Sequence, residues 1–409
     1  MKKLDITILF TTRVVRLFCY GFLSVVLALY LDQVGLSDRQ IGLLFTLTLA
    51  GDAVISLWLT TSADRFGRRR VLLAGAVLMA GAGIVFLLTK NPWLLMIAAV
   101  IGVISPSGNE IGPFLSVEQA GLTQLVSNEH RTQTFAWYNL AGSFATASGA
   151  LLAGWLARWL QQGGATTLEA YRAILAGYAA GGATLFVLFL LLSAAVEVPR
   201  EAREAAPVKP TLGLHKSRKT VFKLSALFSL DAFAGGFIVQ SMIAFWFYRR
   251  FGVDTSVIGS IFFGANILAG ISALLASRLA KRFGLINTMV FTHIPSNILL
   301  MLVPLMPSLP AAIGLLLVRF SISQMDVPTR QSYTMAVVDP DERSAASGVT
   351  TIARSVGAAV SPSLTGVFLS VPGLISLPFF IAGGLKIIYD LLLFRSFRVM
   401  KPPEEKNRQ

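Results

Sequence analysis

The chain has 409 residues, of which 54% are hydrophobic and only 14% are charged, and its mean hydropathy is +0.68. Soluble domains carry about 25% charged residues, so this composition excludes the soluble classes and indicates an integral membrane protein. Apolar stretches long enough to cross a hydrocarbon core recur along the whole chain, and strand-like alternation is absent. We therefore predict membrane-spanning helices and not a barrel.

The apolar stretches divide into twelve predicted spans. A helix needs roughly 20 residues to cross the membrane, and charged or turn-forming residues separate the runs. The predicted spans cover residues 7–30, 40–62, 70–89, 93–121, 133–158, 171–195, 221–247, 257–280, 285–307, 309–336, 344–370 and 373–396. An even number of spans places both termini on one side of the membrane.

The chain is strongly basic, with 35 Lys and Arg against 21 Asp and Glu and a net charge of +14. In a membrane protein the positive-inside rule accounts for such an excess, and nucleic acid is not a predicted partner. The basic residues concentrate in the loops on the side of the termini, so we predict cytoplasmic termini and the inner membrane of a bacterium. The single cysteine, Cys19, lies inside the first span, which excludes an internal disulfide.

Residues 197–220 form the only long polar stretch between predicted spans, and we interpret them as a cytoplasmic linker. On this interpretation an N-terminal bundle of six helices covers residues 1–196. A C-terminal bundle of six covers residues 221–396, and residues 397–409 form a cytoplasmic tail.

The two halves also match each other in sequence. Gly35 aligns with Gly252 and Gly42 with Gly259 at an offset of 217, whereas VSNEHR (126–131) aligns with VDPDER at an offset of 212. Repeated six-helix halves are typical of transporters whose substrate site lies near the membrane midplane between the halves.

The stretch DRFGRRR after the second span, with its echo KRFG after the eighth, resembles the loop motif of the major facilitator superfamily. The resemblance extends over essentially the whole chain and implies an all-α fold of twelve transmembrane helices in two pseudo-symmetric bundles. It also implies that Asp64, Arg65, Gly67 and Arg68 form a latch on the cytoplasmic side. Thr60 stands where the family has glycine, so the closest helix contact of the motif is expected to be looser.

Two further departures from the family concern function. The family's drug antiporters carry an arginine in span four and a Gly-Pro pair in span five. The corresponding spans of this chain contain neither. Their absence weighs against a simple assignment as a drug antiporter.

Ionisable side chains inside the predicted spans are the strongest functional signal. Each costs ~2.5 to 3.5 kcal/mol at the centre of a helix in the membrane, so each is expected to face a cavity or a partner. The candidates for proton coupling and for polar contacts with a substrate are Asp52, Asn109, Glu110 and Asp231. The candidates for a basic inner cavity or a gate are Arg13, Arg16, Glu118, Asp326, Arg330 and Arg354.

The repeat suggests how these charges pair. An offset of 212 relates Glu118 to Arg330, and an offset of 217 brings Arg13 next to Asp231, so we predict pairs between the halves: Glu118 with Arg330, and Asp231 with Arg13 or Arg16. The alternative is that the charges form structural ion pairs that hold helices together or close an inner gate. His293, two residues before a proline, is expected to be a packed residue rather than a proton carrier.

No ATP-binding loop, catalytic nucleophile or cluster of metal ligands is visible in the sequence, so we predict neither an enzyme nor a primary pump, and no cofactor. The predicted function is a secondary transporter that works by alternating access, as a proton-coupled exporter of small amphipathic compounds. A proton-coupled carrier of a small organic anion stays open because Arg13, Arg16, Arg330 and Arg354 lie inside the spans. A membrane sensor or scaffold that transports nothing is the alternative of another class. The predicted partners are a small-molecule substrate, protons and lipid, and the chain is expected to be a monomer.

Overall fold

The computed structural model describes residues 2–110, 112–197, 214–339 and 342–400. The side chains of Lys2, of residues 60–65 and 128–133 and of Ser344 lie outside this description. Within the described ranges the chain is almost entirely helical and contains no strand. The predicted all-α membrane fold is confirmed.

The first half contains α1 (Lys2–Gln33), α2 (Asp38–Phe66), α3 (Arg68–Leu88), α4 (Pro92–Ile101), α5 (Phe114–Leu125), α6 (Asn128–Gln162) and α7 (Thr167–Leu190). The second half contains α8 (Arg218–Gly236), α9 (Gln240–Phe251), α10 (Thr255–Phe283), α11 (Leu285–Leu302), α12 (Leu309–Phe320), α13 (Asp326–Ala336), α14 (Arg343–Leu369) and α15 (Leu377–Phe397).

Ten helical stretches in the described part of the chain are long and apolar enough to cross a membrane, and one of them, Arg218–Phe251, consists of α8 and α9 together. Predicted spans four and ten each consist of two shorter helices instead: α4 with α5, and α12 with α13. The break in span four contains Pro106 and two glycines with positive φ, Gly108 at 68° and Gly112 at 78°. Proline and left-handed glycine both end a helix, which explains the break. The number of twelve spans stays a prediction.

The helix boundaries repeat along the chain. Helices α2 and α10 have the same length of 29 residues and begin 217 residues apart. Gly67 and Gly284 cap the N-termini of α3 and α11 with φ of 103° and 87°, a backbone conformation that favours glycine. Helices α5 and α13 begin only 212 residues apart, because the break before α5 is longer than the break before α13.

Close contacts group the chain into two compact units. The first unit contains Met1–Pro207 and Val239–Phe263, and the second contains Val208–Ile238 and Gly264–Gln409. Helix α9 therefore belongs to the first unit, where it packs on α1. The predicted division into two bundles at residues 197–220 stays a prediction.

Small residues let helices within each unit approach closely. A Cβ atom at Gly149 of α6 would lie 2.0 Å from the carbonyl oxygen of Phe18 on α1. In the second unit, a Cβ atom at Gly357 of α14 would lie 2.3 Å from the carbonyl oxygen of Ser229 on α8. Membrane helices associate largely through such close packing, so these contacts fix the helix pairs that carry the buried charges.

Glu342 joins the start of α14 to the start of α8 within the second unit. Its buried carboxylate accepts hydrogen bonds from the backbone N–H groups of His215, of Lys216 at 2.9 Å and of Ser217 at 2.8 Å. The Ser217 side chain and these backbone donors lower the pKa of Glu342 from 4.5 to about 2. The ionised carboxylate therefore supplies acceptors to the N–H groups of the three residues that directly precede α8.

Replacing Glu342 with glutamine is expected to destabilise the protein at neutral pH. The folded-state pKa of Glu342 is depressed, so its stabilisation is present above about pH 4.5 and is lost as the pH falls through about 2. The melting temperature of the purified protein should be higher than that of E342Q at pH 7, and the difference should shrink steadily below pH 4.5. An equal difference at pH 7 and pH 3 would contradict this account.

Candidate functional site

The buried charges of the first unit form one cluster, made of Arg13, Arg16, Glu110 and Glu118, which we call the first cluster. The two arginines are three residues apart on α1 and therefore share one face of the helix. Glu118 lies on α5, and Glu110 lies in the break that precedes α5. The broken fourth span thus brings two carboxylates to the arginine face of α1.

Arg16 and Glu118 form the most deeply buried pair of the first cluster. The side chains of both are 0% exposed, and two parallel hydrogen bonds of 2.8 Å and 2.6 Å join the guanidinium to the carboxylate. The hydroxyl groups of Thr12, at 2.8 Å, and of Tyr138 also donate to Glu118. Bidentate geometry and additional donors are what a buried ion pair needs to offset the loss of hydration.

Glu110 forms ion pairs with both arginines and lies at the more accessible end of the first cluster. Its carboxylate accepts from Arg13 Nη1 at 2.7 Å and from Arg16 Nε at 2.6 Å, and its side chain is 13% exposed. Arg13 also donates to the amide oxygen of Asn139 at 3.2 Å and lies over the ring of Tyr138. The predicted site residue Asn109 is exposed, and its carbonyl oxygen accepts from Ser105 within the break.

The second unit contains a larger group, the second cluster, which consists of Asp231, Asp326, Arg330, Arg354 and Lys386. Asp231 on α8 is its centre, because it accepts from Lys386 at 2.5 Å, from Arg354 at 3.0 Å and from Arg330 at 3.3 Å. Arg330 also pairs with Asp326, one helical turn earlier on α13, at 2.8 Å. Arg354 is the exposed end of the cluster, with a third of its side chain accessible.

Two members of this region were missed by the sequence analysis. Lys386 and Asp390 lie four residues apart on α15, a spacing that places both on one helix face. Asp390 is fully buried and contacts the imidazole of His293 at 2.9 Å, and the other ring nitrogen of His293 lies 4.0 Å from Asp231. Charged residues four apart inside an apolar span are themselves a signal of a buried network. This spacing could therefore have predicted Lys386 and Asp390 as members of the network.

The predicted pairs between the halves are corrected by these contacts. Glu118 pairs with Arg16, and Asp231 pairs with Arg330, Arg354 and Lys386, each within its own unit. The reason is the break in span four, which places the carboxylates of the first unit against α1. The repeat suggested ion pairs between the two halves. The structure instead pairs these charged residues with partners in their own unit.

Asp52 on α2 differs from every carboxylate of the two clusters. It accepts from the Ser56 hydroxyl at 3.0 Å and from the backbone N–H of Gly112 at 2.6 Å, and it is only partly buried. Within the described residues it makes no ion pair. Asp52 thus has hydrogen-bond donors but no cation to hold it ionised.

The loop motif before α3 is anchored inside the first unit. Glu197 accepts from the backbone N–H groups of Arg68 at 2.8 Å and Arg69 at 3.1 Å, and the Arg68 guanidinium donates to the carbonyl oxygen of Val196 at 3.2 Å. The side chains of Asp64 and Arg65 lie outside the described residues. The latch role of the motif stays a prediction.

Comparison with known proteins gives one family and a consistent set of relatives. A model of the Major Facilitator Superfamily matches residues 9–362 and 247–409. An uncharacterized membrane protein of Saccharomyces cerevisiae is 32% identical over 417 residues, which cover 95% of this chain and 93% of that protein. Multidrug resistance protein 1 of Bacillus subtilis is 21% identical over 383 residues, which cover 93% of each chain.

The fold also resembles solved transporter structures. A variant of the nucleoside transporter NupG superposes with a TM-score of 0.77 at 15% identity, over 97% of this chain and 100% of that one. At this identity the likeness shows the fold alone. The all-helical architecture of the described residues is therefore a known transporter fold.

Removing the acid from the most buried pair tests whether it is structural. E118Q leaves Arg16 with one carboxylate instead of two, and breaking a buried ion pair in this way costs about 3–5 kcal/mol. We expect a clearly lower melting temperature in detergent. E169Q is the matched control, because Glu169 is exposed and glutamine also fits its capping position at the start of α7. Equal melting of E118Q and E169Q would contradict a stabilising role for the pair.

Proposed function

Because this chain belongs to the Major Facilitator Superfamily, and is therefore a secondary transporter and not an enzyme, we propose that it couples transport of a small molecule to protons by alternating access. The family supports transport across a membrane. Proton coupling and the substrate are our proposal. The proton coupling is best supported by one observation on the buried carboxylates.

That observation is the environment of Asp52. Glu110, Glu118, Asp231 and Asp326 each pair with at least one cation, which favours the ionised form of a carboxylate. Asp52 has only neutral donors, and desolvation favours the protonated form of a carboxyl group. Among these five carboxylates Asp52 is therefore the one best suited to bind and release a proton during transport.

We propose export of small amphipathic compounds as the first substrate assignment. A carboxylate without a cation can hold either a proton or the positive charge of a lipophilic cation, and competition between the two is a simple basis for antiport. The name of the Bacillus subtilis relative, a multidrug resistance protein, supports this assignment.

A second candidate is a proton-coupled carrier of a small organic anion. The second cluster favours it, because three cations converge on Asp231 and one of them, Arg354, is a third exposed. An anion that reaches Arg354 would meet a guanidinium with a single described carboxylate partner.

The side of the membrane on which the termini lie, the membrane in which the protein resides and its oligomeric state are also part of the proposal. The concentration of Lys and Arg in the loops on the side of the termini supports cytoplasmic termini. The bacterial inner membrane stays a prediction, since the relatives come from a yeast and a bacterium. The protein is proposed to act as a monomer, with lipid as its surroundings.

Neutralising Asp52 is expected to uncouple the transporter. In proteoliposomes containing purified D52N, an imposed proton gradient should drive tetraphenylphosphonium no faster than in protein-free liposomes. Exchange of tetraphenylphosphonium for itself should persist, because exchange needs no net proton movement.

D339N is the matched control, since Asp339 lies in a loop outside the spans and only its backbone is hydrogen-bonded in the described structure: its N–H donates to Ser217, and its carbonyl oxygen accepts from the N–H of Glu342. Proton-driven flux through D339N should equal that of the unmodified protein. Gradient-driven flux through D52N at the unmodified rate would remove Asp52 from the coupling mechanism.

A further inference from the structure

The break in the tenth span contains one buried hydroxyl, and the helix before it one buried guanidinium nitrogen, that have no hydrogen-bond partner in the described structure. It covers residues 321–325 between α12 and α13. Non-helical backbone at membrane depth is tolerated only where it is buried in protein or lines a cavity. In the second unit the break is braced by α10, whose Ser272 hydroxyl accepts from the backbone N–H of Gln324 at 3.3 Å.

Arg319, in the last turn of α12, is a buried cation that forms no ion pair within the described residues. The residue is 8% exposed, its guanidinium stacks over the Phe320 ring, and its Nε has no hydrogen-bond partner. Within the described residues no carboxylate forms an ion pair with it. By contrast, Arg13, Arg16, Arg330 and Arg354 are each paired with an acid.

Asp326 is a carboxylate close enough to interact electrostatically with Arg319, but the two form no ion pair. Asp326, at the other end of the break, is hydrogen-bonded to Arg330 at 2.8 Å. The hydroxyl of Ser323, inside the break, is buried and has no partner either. One guanidinium Nε and one hydroxyl, both buried and both without a partner among the described residues, thus lie in the five-residue break or in the helical turn before it.

Basic residues near the end of a membrane helix usually extend the side chain so that the charged group reaches the membrane surface. Arg319 lies too far from the start of α12 for this. It lies ten residues after the start of α12, about 15 Å along the helix axis, so the side chain does not end near the beginning of the span. A charge kept at this depth without a partner is a functional-site signal.

We propose that Arg319 and Ser323 form a binding site for the carboxylate group of a small organic anion. Arginine presents a planar fork of N–H groups that matches a carboxylate, and the hydroxyl supplies a further donor. The carboxylate of the bound anion would form the ion pair that Arg319 lacks among the described residues. This inference rests on the proposed proton-coupled transport and decides between its two substrate assignments in favour of the organic anion.

Equilibrium binding of radiolabelled benzoate to the purified full-length chain in lipid nanodiscs tests the site without relying on transport. Benzoate should bind saturably, and benzamide, a neutral compound of the same shape, should compete at least about tenfold less well, because a charge-assisted pair is lost. R319Q should weaken benzoate binding at least about tenfold, and R319K should lie between R319Q and the unmodified protein. S323A should weaken it roughly twofold to tenfold.

R278Q is the matched control, since Arg278 is exposed on α10 and its loss should leave benzoate binding unchanged. A melting curve separates loss of the site from loss of the fold. Removing an unpaired buried cation should leave the melting temperature of R319Q equal to or above that of the unmodified protein.

Two results would overturn the proposal: no saturable benzoate binding by the unmodified protein, or binding by R319Q within twofold of it. Failure of the anion site is distinguishable from failure of proton coupling. A chain that still moves tetraphenylphosphonium against protons through Asp52, while ignoring benzoate, retains the proposed function and lacks the proposed site.

Discussion

A charge inside a membrane helix needs an opposite charge close by, because water is not there to stabilise it. This constraint organises the described interior of the protein. In the first unit two arginines of α1 meet two carboxylates, and in the second unit Arg330, Arg354 and Lys386 converge on Asp231. The helix pairs α1 with α6 and α8 with α14, held close by glycine, keep these charges in place.

Two broken spans supply the geometry that unbroken helices would not. In span four the break delivers Glu110 beside α1, whereas in span ten it separates Arg319 from Asp326. The breaks also explain why the repeat offset changes from 217 to 212, since they differ in length. Against this background two residues are informative: within the described ranges Asp52 forms no ion pair with a cation, and Arg319 forms none with a carboxylate.

Part of this organisation could be predicted from the sequence. Composition predicted the membrane fold, and the repeated motifs predicted helices whose boundaries recur at fixed offsets, as α2 and α10 show. The shared face of Arg13 and Arg16 followed from their spacing. Their partners could not be deduced, because the choice between Glu118 and Asp231 depends on how the broken span folds back on α1, which no local pattern encodes.

The remaining buried charges differ in how far the sequence encodes them. Lys386 and Asp390 carry the spacing of a helical ion pair, which is itself a sequence signal. Arg319 has no sequence signature of being unpaired, since the absence of a partner is a property of three-dimensional packing alone. His293 was expected to be merely packed, and only the structure shows its ring beside Asp390.

The central claim is that Asp52 and Arg319, neither of which forms an ion pair within the described residues, take up a proton and an organic anion in one cycle. The most direct measurement is proton uptake by the purified protein in weakly buffered nanodiscs when benzoate is added, followed with a pH indicator dye. The account predicts that each benzoate bound is accompanied by one proton, and that D52N binds benzoate without this proton. Benzoate binding by the unmodified protein with no proton uptake would contradict the account.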